Sequence, residues 1–181
     1  AVCGAFSSFI VYFANNKEGM QTIAYWMMGS LAGAQWGELA VIAPIIIASI
    51  LFFWTQSRVL NLMLLGDESA ITMGTDLHAY RQWYLLISSL IVGFAVYSAG
   101  MIGFVGLIVP HVIRMFTGPD HKRLLPVAAL VGAIFLVVAD GLCRVIIPHT
   151  ELPIGILISM IGAPSFIYLM IKKTYGFGGS D

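Results

Sequence analysis

Long apolar segments constrain the fold of this chain more than any other feature. Four of them contain little or no charge: Leu39–Ser57, Gln82–Met101, Leu124–Ile147 and Pro153–Ile171. An α-helix rises about 1.5 Å per residue, so about 20 residues cross the hydrocarbon core of a bilayer, which is about 30 Å thick. Of the 181 residues only 10% are charged, whereas soluble domains carry about 25%. The sequence therefore predicts an all-α, polytopic membrane protein.

Two further apolar runs are shorter. Ile102–Thr117 carries Pro110 and Arg114 and is predicted to be a fifth span. As a helix, Ala1–Ala14 would be about 21 Å long, which is too short to cross a bilayer alone. Neither a Met nor the charged flank of a signal peptide precedes it. We expect five complete spans and one truncated span, with residues 1–181 forming the C-terminal part of a single, longer membrane domain.

The distribution of Lys and Arg predicts the orientation, because short cytoplasmic loops collect basic residues. If residues 58–81 face the cytoplasm, alternating spans place most basic residues on that side. These are Arg58, Arg81, Arg114, Lys122, Arg123, Lys172 and Lys173. Only Lys17 and Arg144 fall on the other side. We expect a multi-pass protein of the cytoplasmic (inner) membrane with its C-terminus in the cytoplasm.

A short amphipathic stretch, "EGMQTIAYWMMG" (18–29), follows the first apolar run. Its length is about half of what a transmembrane helix needs. Trp26 and Trp36 suit the membrane–water boundary, where aromatic rings are enriched. The stretch is therefore predicted to form a short re-entrant or interfacial helix on the outer side of the membrane.

The segment "LLGDESAITMGTDLHAYRQW", residues 64–83, is polar although it lies between two spans. Asp67 and Glu68 suit the first turn of a helix, where the helix dipole favours negative charge. Gly74 suits a left-handed helix end, and Thr75 can cap a second short helix that leads into the next span. A solvated connector and a docking surface both fit this segment. The order of capping residues and the apolar side of each helix favour a docking surface made of two short helices.

Six segments in this order resemble a known family. They are "WMMGSLAGAQW" (26–36), "LLGDESAITMG" (64–74), "GFVGLIVPHVIRMFTGPDHKRLLP" (103–126), "ADGLCR" (139–144), "ELPIGI" (151–156) and "IGAPSFIYLM" (161–170). Together they are similar to the FecCD-type permeases, the membrane subunits of ATP-binding-cassette (ABC) importers for iron–siderophore complexes, haem and cobalamin. The resemblance covers essentially the whole chain, and six segments in register make it specific.

The resemblance implies a permease of about ten spans that pairs with a second copy or a related subunit. It also implies two ATP-binding subunits and an extracellular or periplasmic substrate-binding protein. Residues 64–83 would be the coupling loop, seated in a cleft of the ATP-binding subunit. The loop residues assigned to this contact are Gly66, Asp67, Glu68, Ala70, Met73, Gly74, Leu77 and Arg81. The expected cargo is an iron–siderophore complex, with haem or cobalamin as the alternative.

The sequence also bears on the energy source for transport. The sequence lacks the G-x-x-x-x-G-K-[ST] motif that cradles ATP phosphates, so energy must come from a partner or from an ion gradient. The second possibility would make the chain half of an ion-coupled secondary transporter, a class that usually keeps acids at membrane depth. The candidate acid is Asp140, but Arg144 lies four residues later on the same helical face. This internal partner argues against ion coupling.

Arg144 and a set of small residues each allow two interpretations. Arg144 can neutralise Asp140, whereas the family resemblance implies that it docks the substrate-binding protein. The small residues can permit close helix packing or line the substrate path in a dimer. The candidates for the path are Ser7, Ser8, Gly29, Ser30 and Gly33.

Several kinds of site are not predicted. Cys3 and Cys143 lie in apolar runs without a C-x-x-C spacing, so we expect no disulfide, metal site or bound cofactor. No paired carboxylates or Ser/His/Asp arrangement indicates catalysis, and the chain is expected to be a transport subunit and not an enzyme. Nine acidic and nine basic residues balance, so nothing indicates nucleic acid binding.

Overall fold

The structure is a computed structural model that describes residues 2–13, 17–66, 70, 72–74, 76–146 and 152–175. Eight helices of this part of the chain are α1 (Val2–Phe13), α2 (Lys17–Met28), α3 (Trp36–Thr55), α4 (Ser57–Leu64), α5 (Leu77–Ala99), α6 (Val105–Thr117), α7 (His121–Ile146) and α8 (Ile154–Tyr175). The described residues contain no β-strand. The predicted all-α fold is confirmed.

Three of the helices, α3, α5 and α7, are long and apolar enough to cross a membrane. They correspond to three of the predicted spans, and their ends lie within a few residues of the predicted limits. The fourth predicted span corresponds to α8, whose apolar stretch among the described side chains is the shorter Ile154–Tyr168. The short helix predicted near residues 18–29 is α2. Large side chains on the long helices, such as Leu85 and Val137, are exposed on the outside of this helical bundle.

The prediction for Ile102–Thr117 needs correction, because α6 has only 13 residues and a length of about 20 Å. Residues 101–104 are not helical. Gly100 and Phe104 have φ angles of 72° and 63°, which a continuous right-handed helix cannot contain. The Ser30 N–H donates to the Ala99 carbonyl at 2.9 Å, so contacts with the segment after α2 fix this link. The number of complete spans stays a prediction.

A second difference concerns α4, because the chain does not enter a loop after the first long span. It turns at Gln56 and continues as an eight-residue helix. The Tyr84 hydroxyl donates to Gln56 Oε1 at 3.2 Å, and the Tyr84 ring packs beside Phe52 and Phe53. Ser57 is buried at the start of α4. This packing sets the angle at which the chain leaves α3.

Successive helices in the series α3, α5, α6, α7 and α8 run in opposite directions, and α7 lies at the centre of the arrangement. It packs against α3, α4, α6 and α8. One core cluster joins Ala139 and Cys143 of α7 to Ile154 and Ile158 of α8. The Trp54 indole of α3 also donates to the Lys122 carbonyl at 3.0 Å. Movement of α7 would therefore displace most of the bundle.

The bundle has two ends, which we name after the short helices that they carry. The α4 end holds α4, the turn 118–120 and the start of α5, and the α2 end holds α2, residues 100–104 and the start of α8. The seven basic residues predicted to share one side of the membrane all lie at or near the α4 end of their helices. Which side of the membrane this end faces stays a prediction.

Candidate docking sites at the two ends of the bundle

The coupling loop, residues 64–83, begins at the α4 end. Asp67, Glu68 and Thr75 lie outside the described residues. Gly74 has a φ of 75°, which confirms the left-handed conformation predicted for it. Gly66 also has a positive φ, of 90°.

The predicted second short helix is not separate from the next span. Leu77–Ala99 is one helix of 23 residues. Its N-cap is Asp76, whose side chain accepts a hydrogen bond from the His78 N–H at 2.9 Å. Asp and Thr are both good capping residues, and the sequence prediction placed the cap one residue early, at Thr75. Arg81 therefore lies in the second turn of the spanning helix α5.

Side chains of the coupling loop divide into buried and exposed groups. Ala70 and Leu77 are buried, so they fix the loop against the bundle. Met73 is exposed, Gly74 has open space around it, and Arg81 is exposed. The exposed group is the part of the described loop that a partner could contact.

Asn61 of α4 joins the coupling loop to the start of α7. Its Nδ2 donates to Asp120 Oδ1 at 2.8 Å, and its Oδ1 accepts from the His121 N–H at 2.9 Å. Asp120 also caps α7, because its Oδ1 accepts from the Lys122 N–H at 3.0 Å. The hydrogen bonds from Asn61 and Lys122 hold the pKa of Asp120 below its usual value. Asn61 Oδ1 also lies 2.8 Å from the ring Nδ1 of His121. We call Asn61, Asp120 and His121 the Asn61 clamp.

Sequence reasoning did not identify the Asn61 clamp. Asp120 and His121 lie 59 and 60 residues after Asn61 in the chain, and no local pattern joins them to it. The available signal was a single amide in the otherwise apolar second half of α4, "LNLML". Beside the clamp is an open cleft of about 520 Å³ with Arg58 and Arg114 on its walls.

At the opposite, α2 end, Arg144 and Asp140 form an ion pair. Arg144 Nε donates to Asp140 Oδ2 at 2.8 Å, with side-chain exposures of 53% and 24%. The predicted internal pair is therefore confirmed. Since half of the Arg144 side chain is exposed, its outer surface is accessible, and docking of a binding protein stays a prediction.

Backbone segments approach one another closely at the α2 end. Gly155 of α8 is buried, and a Cβ added to it would overlap the Met28 carbonyl oxygen. A Cβ on Gly100 would overlap the Trp26 carbonyl oxygen in the same way. The absence of side chains at these two glycines allows α2, α8 and the link before α6 to approach one another.

The candidate path residues lie in different surroundings. Gly29 is buried with a φ of 74°, and a Cβ on it would lie 2.9 Å from Ile102 Cγ1. Ser30 is partly buried, and its Oγ accepts from the Ala32 N–H at 3.2 Å. Gly33 is exposed. The side chains of Ser7 and Ser8 lie outside the described residues. Packing accounts for the position of Gly29, and the proposed path lining stays a prediction.

Within the described ranges, no group of three or more His, Cys, Asp or Glu side chains is placed to hold a metal ion.

Sequence comparison relates nearly the whole chain to known transport proteins. The FecCD transport family matches residues 1–172. The hemin transport system permease protein of Yersinia pestis is 40% identical over 173 residues, which are 96% of this chain and 52% of that protein. The cobalamin import system permease protein of Halobacterium salinarum is 41% identical over 167 residues, which are 92% of this chain and 44% of that protein.

Structural comparison agrees. A metal-chelate type ABC transporter in an inward-facing conformation matches with a TM-score of 0.87 and 34% identity, over 93% of this chain and 55% of that chain. The chain spans about half the length of the curated relatives it matches. The family match and the shared arrangement of helices show that this chain belongs to the FecCD transport family.

Proposed function

We propose that the chain is part of the membrane-spanning permease subunit of an ABC importer. The observation that carries the proposal is the likeness of its helix arrangement, at a TM-score of 0.87, to a metal-chelate type ABC transporter. Residues 1–181 form one permease domain that contributes the coupling loop. In the intact protein this domain is the C-terminal half.

The proposed cargo is a large metal chelate. Relatives of this chain are named as hemin and cobalamin permeases, and one solved relative is named as a metal-chelate type transporter. The iron–siderophore complex predicted from the sequence belongs to the same chemical class. Haem and cobalamin fit the relatives equally well. Ion coupling is less favoured, since the candidate acid Asp140 is already paired with Arg144.

The two ends of the bundle suit different partners. An ATP-binding subunit contacts the exposed part of the coupling loop, around Met73 and Gly74, at the α4 end. A substrate-binding protein contacts the α2 end near Arg144, and Ser30 and Gly33 face the path between two permease subunits. This arrangement places the α4 end and the C-terminus in the cytoplasm and the α2 end outside. The basic residues near the α4 end support this orientation.

The function can be tested with the full-length permease reconstituted in liposomes with its ATP-binding subunit and binding protein. Labelled ferric siderophore, hemin and cobalamin are supplied outside, and ATP inside. We expect ATP-dependent uptake of at least one chelate that an uncoupler does not stop. Uptake that survives the loss of ATP but stops with an uncoupler would indicate an ion-coupled carrier instead.

Reversing the charge of Arg144 tests its proposed role in docking. We expect Arg144→Glu to weaken association with the substrate-binding protein about tenfold or more, because an arginine–carboxylate contact becomes a repulsion. The remaining association should be less sensitive to salt than that of the wild type. Titration of the binding protein against permease in nanodiscs measures the effect.

The ion pair with Asp140 supplies the control. Arg144→Glu also places two acids on one helical face, which would lower stability in detergent. Asp140→Asn added to Arg144→Glu should restore stability without restoring association. If the Arg144→Glu permease bound the substrate-binding protein as tightly as the wild type does, Arg144 would not belong to the docking site.

A further inference from the structure

The short helix α4 lies between the first long span and the coupling loop. It begins after the turn at Gln56 and ends at Leu64, where the coupling loop begins. The loop is joined covalently to α3 through α4 and directly to α5. Neither α6 nor α7 has such a junction with it, although α7 packs against more of the bundle than any other described helix. A loop that moves on ATP binding therefore needs a lateral connection to carry α7 along.

The Asn61 clamp provides that lateral connection. The side-chain amide of Asn61 both donates and accepts, so it fixes α4 against the start of α7. Its Nδ2 donates to Asp120 Oδ1 at 2.8 Å, and its Oδ1 lies 2.9 Å from the backbone nitrogen and 2.8 Å from the ring Nδ1 of His121. Hydrogen bonds are directional, whereas apolar contacts between helices permit sliding. The backbone carbonyl of Asp120 accepts from the Leu124 N–H at 2.9 Å, which carries the connection into the first turn of α7.

We propose that Asn61 is a positioning residue that makes α4 and the start of α7 move together, so that displacement of the coupling loop reaches α7. The role rests on the proposed importer function. Asn61 touches neither nucleotide nor cargo in this role. It acts by converting loop movement into movement of α7 and of the helices packed on it.

The test uses the full-length transporter in liposomes and measures chelate uptake and ATP hydrolysis in the same sample. Asn61→Leu keeps the size of the side chain and removes its hydrogen bonds to Asp120 and His121. We expect the rate of ATP hydrolysis to stay within about twofold of the wild type. The amount of chelate transported per ATP hydrolysed, which we call the transport ratio, should fall about tenfold. Loss of general stability would lower both quantities together. Trp54→Phe is the matched control, because it removes a hydrogen bond to the same turn of α7 from α3 and should leave the ratio unchanged.

A charge-conserving exchange tests the geometry of the clamp. Asn61→Asp alone places two carboxylates together and should lower the transport ratio as Asn61→Leu does. Asn61→Asp combined with Asp120→Asn restores a donor–acceptor pair, and the introduced carboxylate can still accept from the His121 N–H. Since Asn and Asp cap helices equally well, α7 keeps its N-cap. We expect the double variant to recover the wild-type ratio to within about threefold, as contacting pairs show non-additive effects.

The outcomes separate this proposal from the function on which it rests. A wild-type ratio in Asn61→Leu, or a double variant that folds and hydrolyses ATP but does not regain the ratio, would overturn the role of Asn61 alone. If Asn61→Leu does not assemble, Asn61→Asp and the double variant decide the matter by the same ratio. A wild-type transporter without ATP-dependent uptake would overturn the proposed function, and this role with it.

Discussion

Replacing Gly155 by valine is expected to prevent the start of α8 from packing against α2, with a loss of about 3 kcal/mol or more of stability. Gly155 is buried, and an added Cβ would overlap the Met28 carbonyl oxygen and lie 3.4 Å from the Met101 carbonyl oxygen. Both oxygens belong to the backbone and cannot rotate away as a side chain would. Thermal unfolding of the full-length permease in detergent measures the loss.

Gly93 supplies a matched control for Gly155. It lies within the long helix α5, and a Cβ added to it meets no atom within 4 Å. Since glycine is the poorest helix former apart from proline, Gly93→Val should unfold at the wild-type temperature or above it. If Gly155→Val unfolded at the same temperature as Gly93→Val, the close approach of α8 to α2 would not stabilise the protein.

Replacing Gly74 by valine is expected to weaken binding of the ATP-binding subunit about tenfold or more, with the spans still inserted. Gly74 has a φ of 75° and open space around it, so conformational strain and not a clash opposes the substitution. A left-handed conformation costs a residue with a side chain about 1–2 kcal/mol, and β-branched residues resist it most. The turn would rearrange and displace the exposed part of the coupling loop. Titration of the ATP-binding subunit against permease in nanodiscs measures the change.

The control for Gly74→Val uses the same position. Asparagine tolerates the left-handed region far better than valine, so Gly74→Asn should bind the ATP-binding subunit nearly as the wild type does. Equal binding by Gly74→Val and the wild type would contradict the prediction. If Asp67→Ala and Glu68→Ala also left binding unchanged, the segment would be a connector and not a docking surface.

The long helices could be predicted from the sequence because membrane thickness imposes their length. An uninterrupted apolar run of about 20 residues has few alternatives in a bilayer, and α3, α5 and α7 appear close to their predicted limits. Local spacing was equally informative at Asp140 and Arg144, where residues four apart on a helix share a face and form the predicted pair. The left-handed conformation of Gly74 also followed from local chemistry.

Features that depend on distant backbone contacts could not be predicted in this way. The run Ile102–Thr117 is apolar throughout its first turn, and only the meeting of residues 100–104 with the end of α2 shortens the helix to Val105–Thr117. The Asn61 clamp joins residues about 60 positions apart, so no periodicity indicates it. The docking of partners is even harder to predict from this sequence, because it depends on the surfaces of other proteins.

The shortness of α6 bears on how the protein is assembled in the membrane. A helix of 13 residues is too short for stable insertion as an isolated segment during synthesis, since about 20 residues are needed. The next helix, α7, has 26 residues, and only residues 118–120 separate the two. We therefore expect α6 to wait at the insertion machinery until α7 has been synthesised, and the pair to enter the lipid as one helical hairpin. Biogenesis of this region would then proceed in units of two helices and not of one.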